Sequence, residues 1–158
     1  MVCMSTEVIL KINSTSSNET EQLGESVGKN LKGGEVIELV SDLGGGKTTF
    51  VRGLAKGMGS LDVVSSPSFT IQQDYRTQDL TMHHFDFYRL HEPGILEHEL
   101  AEVVRKKDAV TVVEWADIVQ GVLPKKRIRI LFRTTNETDR ELRFNCPEAL
   151  KYLLAGLK

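Results

Sequence analysis

The most constraining feature is a short apolar run, a glycine-rich loop and a helical pattern in direct succession. Residues 35–40 carry Val36, Ile37, Leu39 and Val40 almost without interruption. Such a run suits a strand buried on both faces, which requires a sheet with helices on either side. The loop spans residues 41–46. Beyond it Phe50, Val51, Leu54, Ala55 and Met58 recur at the spacing of one helical face, with Gly57 and Gly59 closing the helix. A second strongly apolar strand is predicted over 109–113.

The rest of the chain fits around these two strands. A strand is predicted over 6–12, then a helix from Glu19 through Leu23, Val27 and Leu31 that ends at Gly33-Gly34. Strands over 71–75 and 80–87 flank a polar turn. Pro93-Gly94 precedes a helix over 95–107, strands at 128–132 and 142–144 flank a second turn, and Pro147 opens a last helix. The expectation is one domain over 1–158, α/β and P-loop NTPase-like, with a mostly parallel central sheet, antiparallel edge strands and helices on both faces.

The loop explains the helix start. Gly44, Gly45 and Gly46 permit positive φ and close backbone approach, and Gly46-Lys47-Thr48 completes the end of a phosphate-loop pattern. Backbone N–H groups and the helix dipole then face one anion. Lys47 is placed to reach the β- and γ-phosphates and the Thr48 hydroxyl to bind magnesium. The pattern's first glycine is Ser41 here, which requires a negative φ at that residue.

A metal-organising acid belongs at the end of the second buried strand, where Glu114 stands. Trp115 beside it is either a core aromatic or a wall of the nucleotide pocket. Asp86, within His84-Phe85-Asp86-Phe87-Tyr88-Arg89, is a candidate for positioning the attacking water, or else pairs with Arg89. His83 and His84 face opposite ways and read as ordinary hydrogen-bonded histidines. Ser66 and Ser68 are candidate switch hydroxyls that sense the γ-phosphate.

Bulk properties exclude several classes. A formal net charge of -2 gives no wholesale electrostatic grip on nucleic acid or membrane. Arg105-Lys106-Lys107 and Lys125-Lys126-Arg127 are solvated turns or, alternatively, a contact patch for an acidic partner or RNA. Cys3 and Cys146 have no metal-type spacing. Neither a signal peptide nor a membrane-length apolar run is read, so a cytoplasmic setting without membrane contact is expected.

In order, Asp42-Leu43-Gly44-Gly45-Gly46-Lys47-Thr48, Ser66-Pro67-Ser68-Phe69, His84 to Arg89 and Glu114-Trp115 resemble the bacterial TsaE family, also called YjeE. That family is the small ATPase of the threonylcarbamoyl-adenosine tRNA modification system, and the resemblance runs from about residue 20 to 132. Its usual pattern has Gly at Ser41, often Ala at Gly45, and Thr at Ser68. The resemblance implies a cytoplasmic Mg-ATP hydrolase, slow without partners, that acts with TsaD and TsaB and meets tRNA through that complex. It implies nucleotide binding by Asp42, Leu43, Gly44, Gly45, Gly46, Lys47, Thr48, Thr49 and Trp115. Mg2+ falls to Thr48 and Glu114, and catalysis to Lys47, Asp86 and Glu114. Two rival readings share the phosphate loop: a small-molecule or nucleoside kinase with the 95–107 helix as lid, and a nucleotide-gated binding module without catalysis.

Overall fold

A computed structural model describes residues 6–41, 44–67 and 70–157. Seven strands form one sheet. In chain order they are β1 (Glu7–Ser14), β2 (Val36–Val40), β3 (Gln72–Arg76), β4 (Thr81–Asp86), β5 (Ala109–Glu114), β6 (Ile128–Thr134) and β7 (Arg140–Pro147). Their spatial order is β1-β7-β6-β2-β5-β4-β3.

The sheet is mixed, parallel at its centre and antiparallel at both edges, as expected. The pairings β6–β2, β2–β5 and β5–β4 are parallel, whereas β1–β7, β7–β6 and β4–β3 are antiparallel. Short connections fix two of the antiparallel pairs, β4–β3 and β7–β6. Tight turns over 77–80 and 135–139 join hairpins, the second held by the Asn136 side chain accepting from the Thr138 and Asp139 N–H groups. Parallel neighbours need a crossover, so that geometry is confined to the middle four strands.

Three α-helices cover the sheet: α1 (Ser17–Gly28), α2 (Lys47–Met58) and α3 (Leu96–Val103). On one face Phe50, Val51 and Leu54 of α2 and Val27 of α1 pack on Ile37, Leu39, Val112, Ile130 and Phe144. On the other, Leu100 and Val103 of α3 pack with Val36, Phe85, Val113 and Val119, the last from a 3-10 turn over Ala116–Val119. Helices on both faces therefore match the expectation. Each fully buried aliphatic or aromatic side chain contributes roughly 1.5–3 kcal/mol.

Helix ends depart from the pattern in three places. α1 stops at Gly28 rather than at Gly33-Gly34. Its chain unwinds through Asn30 and Leu31 N–H bonds to Val27 and Gly28, and the Glu35 carboxylate takes the Lys32 and Gly33 N–H groups. α3 stops at Val103, four residues early, because tight turns at Arg105 and Lys106 deliver Ala109 to the sheet. The last helix is a 3-10 segment, Glu148–Leu154.

α1 and α2 touch backbone to backbone. A Cβ at Gly53 would lie 2.0 Å from the Glu21 carbonyl oxygen, and one at Gly24 would lie 2.2 Å from that of Phe50. This contact fixes the start of α1 beside the glycine loop that opens α2.

Candidate functional site

The loop after β2 turns into α2 through glycines in the left-handed region, Gly44 at φ 76° and Gly46 at φ 95°. Gly46 is the N-cap, and α2 begins at Lys47, as the sequence requires. Among the described residues Ile71 and Trp115 are the non-glycines at positive φ, so Ser41 adopts the negative φ expected of it. The turn leaves a cavity of about 320 Å3, walled by Gly44 to Thr49 with Asp86, Glu114, Trp115 and Ser66. Of the sequence-predicted site residues, Asp42, Leu43 and Ser68 lie outside the described residues; the others all line this one cavity.

Sheet register explains the convergence. β2, β5 and β4 are adjacent and parallel, with Leu39 opposite Glu114 and Glu114 opposite Asp86. All three strands end at the same level, beside the first turn of α2.

Lys47 is 7% exposed. Its Nζ lies 3.5 Å from Glu114 Oε1, donates to the Ser41 carbonyl at 3.3 Å, and sits 4.8 Å from the centroid of the Trp115 ring. Trp115 reaches that position from a left-handed backbone, φ 55° and ψ 53°. Tyr88 packs against its ring at 4.8 Å between centroids. Trp115 is thus a cavity wall, with part of its surface against the core under α3.

Glu114 is the most constrained group. Burial pushes its carboxyl up, but the hydrogen bond and charge of His84 and the charge of Lys47 outweigh this and hold it below the usual carboxylate value. The His84 Nε2 lies 2.5 Å from Glu114 Oε2. A carboxylate can only accept, so Nε2 carries the proton. His84 is fully buried and its Nδ1 has no hydrogen-bond partner. His83 meets Asp74 on the opposite face at 2.9 Å, so both histidines are hydrogen-bonded as expected. The neighbouring Asp86, also buried, accepts the Tyr88 N–H at 2.9 Å through Oδ1.

Sequence reasoning missed three contributors. His84 was read as ordinary, yet it orients the acid. Ser17, at the first turn of α1, lines the cavity. So does Arg140, whose Nη2 donates to the Gly44 carbonyl at 3.4 Å and whose Nη1 bonds the Asn136 and Asp139 carbonyls. A second hollow of about 230 Å3 continues from the first across Ser17, Gly46, Thr49 and Arg140. The α1–α2 contact brings Ser17 here, and the place of the β6–β7 hairpin beside β2 brings Arg140; no local motif announces either placement.

A family model described as threonylcarbamoyl adenosine biosynthesis protein TsaE matches residues 14–142. The chain belongs to the TsaE family. The tRNA threonylcarbamoyladenosine biosynthesis protein TsaE of Bacillus subtilis is 33% identical over 135 residues, 85% of this chain and 84% of that protein. The TsaE of Treponema pallidum is 35% identical over 129 residues, 82% of this chain and 95% of its own length. A crystal structure of Bacillus subtilis YdiB superposes with a TM-score of 0.76 at 30% identity, over 95% of this chain and 94% of that one. The α/β fold is therefore similar to that of a solved structure. The TsaE match spans the glycine loop and both acids.

Proposed function

We propose that this chain is a P-loop NTPase-like ATPase subunit that binds Mg-ATP, hydrolyses it slowly alone, and serves in forming the threonylcarbamoyl group on the adenosine beside the tRNA anticodon. The observation that carries this reading is Lys47 at the first position of α2, buried against Glu114 at the end of the neighbouring strand and facing a cavity rimmed by glycine-loop backbone.

The phosphates belong over Gly44, Gly45 and Gly46, where N–H groups and the start of α2 favour negative charge. Lys47 exchanges its Glu114 partner for phosphate oxygens. The base and ribose belong in the adjoining hollow by Ser17, Thr49 and Arg140. Mg2+ suits the donors present: Thr48 Oγ1 and Glu114 are hard oxygen ligands. No cluster of three or more His, Cys, Asp or Glu occurs among the described residues. Thr48 and Glu114 would hold the ion together with the nucleotide's phosphates. When bound, the ion neutralises charge that develops on the transferred phosphoryl group. Asp86 then orients the attacking water, and Lys47 stabilises the in-line transition state. Ser66 lines the cavity and is the candidate hydroxyl sensor of the γ-phosphate. No Asn-Lys-x-Asp guanine-reading segment occurs, which favours ATP.

The partners we assign are a TsaD–TsaB-like complex, with tRNA reached through it, in the cytoplasm. No helix among the described residues is long and apolar enough to cross a membrane. The kinase alternative loses support because α3 packs on the sheet and contributes nothing to the phosphate cavity. Slow turnover alone is expected because the sequence offers no obvious arginine finger.

The test is Mg-ATP calorimetry followed by orthophosphate release, with and without a TsaD–TsaB complex. Binding that needs Mg2+, and release that accelerates with the complex, are expected. Flat heats with and without the complex overturn the proposal. Phosphate found on an added nucleoside makes the chain a kinase, and binding without release makes it a gated module.

A further inference from the structure

A second cavity, of about 570 Å3, lies on the sheet face opposite α1 and α2, and the phosphate site does not use it. Strand alternation creates it. On β6, Ile128, Ile130 and Phe132 point into the core under α1 and α2, so Arg129, Leu131 and Arg133 point the other way. On that face α3 and the 116–119 turn cover β2, β4 and β5 but stop short of β6. The hollow is bounded by Trp115, Glu38, Arg127, Arg129, Leu131 and Arg133.

Its charges are unevenly matched. Glu38 is buried and already served: Arg127 Nε donates to its Oε1 at 2.9 Å and Gln120 Nε2 to its Oε2 at 3.1 Å. The remaining Arg127 donors go to the Pro124 carbonyl and Gln120 Oε1, both at 2.8 Å. Arg129 forms an ion pair with Glu38, its Nε 3.3 Å from Oε1, but makes no hydrogen bond there. Arg133 has no acidic partner among the described residues. The one other acid in the wall is Asp117. Arg143, opposite Leu131 on β7, and the Lys125-Lys126 turn extend the basic surface. Two guanidinium forks therefore face a concave space beside an indole.

We infer that this cavity receives acidic side chains of a protein partner and couples its docking to the phosphate site through Trp115. A guanidinium offers paired N–H donors that match a carboxylate bidentately. A hollow of this size seats side chains, and the chain's net charge of -2 supplies no long-range field for a polyanionic RNA backbone. Trp115 links the two sites, because its ring walls both cavities and covers Lys47 Nζ. A carboxylate drawn to Arg129 and Arg133 rests against the residue that restrains the phosphate-binding lysine. The inference rests on the partner reading above, and deepens it by naming the surface.

The experiment uses the full chain and an Arg129→Gln/Arg133→Glu variant, both confirmed folded by thermal unfolding. Three probes are applied: a TsaD–TsaB complex, a deca-glutamate peptide and a tRNA transcript. We expect the variant to lose at least ten-fold in affinity for the complex while Mg-ATP binding by the isolated chain is unchanged. The peptide should alter Trp115 fluorescence in wild type and not in the variant, and compete with the complex. Equal affinity of wild type and variant for the complex overturns the inference. So does a wild type that binds the transcript and ignores the peptide. If the complex binds neither protein, the partner reading fails and the peptide arm alone decides the cavity's specificity.

Discussion

Replacing Lys47 by Met keeps the length of the side chain and removes its charge, and the structure fixes two separate consequences. For stability, Glu114 loses a cation 3.5 Å away at a site where both groups are almost fully buried. Removing one partner of a buried pair costs about 3–5 kcal/mol. Here His84 still donates to Glu114, so the expected loss is about 1–3 kcal/mol, the cost of leaving a buried group under-satisfied. The pH dependence follows from sign. The Glu114 carboxyl is held below its ordinary value in the folded chain. The stabilisation it provides is therefore complete above the unfolded value, about 4.3, and is lost as pH falls through the folded value. The gap between wild type and variant should be full at pH 7 and narrow in acid below about pH 4. For ligand binding, a charge-assisted bond contributes roughly 1.5–3 kcal/mol, which is about a ten- to hundred-fold loss in Mg-ATP affinity. Urea unfolding followed by Trp115, the single tryptophan, measures the first effect, and calorimetry the second. A variant that binds Mg-ATP as tightly as wild type would refute the phosphate role. One that is equally stable at pH 7 would refute the buried pair.

His84→Leu should release Glu114, lowering the Mg2+ dependence of nucleotide binding and the rate of phosphate release about ten-fold or more. His84→Gln, which returns a donor near Nε2, should recover much of both, and equal rates in the two variants would remove the orienting role. Gly53→Ala should lower the unfolding free energy by about 1–3 kcal/mol by overpacking, although helix propensity alone favours Ala by about 1 kcal/mol. The cause is the Cβ placed 2.0 Å from the Glu21 carbonyl oxygen, and an unchanged or raised melting temperature contradicts that contact. Burial, with the charges of Glu148 and Glu7, pushes the Cys146 thiol up to about 11. In a Cys3→Ser background a thiol reagent at pH 8 should therefore leave native protein unlabelled and react on unfolding; rapid native labelling would show the thiol is accessible.

Local chemistry made part of this molecule legible in advance. Val36 to Val40, three glycines, Lys47-Thr48 and the face from Phe50 to Ala55 specify strand, loop and helix, because each depends on neighbours within a few residues. Glu114 was legible for the same reason, as the residue that ends an apolar strand. Asp86 was legible as the acid within the His84 to Arg89 segment. What the sequence left open depended on which strands lie side by side. The hairpin of β6 and β7 was legible in its polar turn, but its place beside β2, and that of β1 beside β7, have no local signature, and that placement brings Arg140 to the Gly44 carbonyl.

The sequence by itself determined that a glycine turn would join the first buried strand to a helix, since glycine accepts at no steric cost the backbone angles such a turn needs. The tertiary structure decided what surrounds that turn. Parallel pairing of β2, β5 and β4 sets Glu114 against Lys47, hides His84 behind it, and leaves β6 uncovered on one face so that Arg129 and Arg133 line a second cavity. These are contacts between residues tens of positions apart. Chain closure and packing select them together, and a periodicity read along one segment carries no information about its neighbour across the sheet.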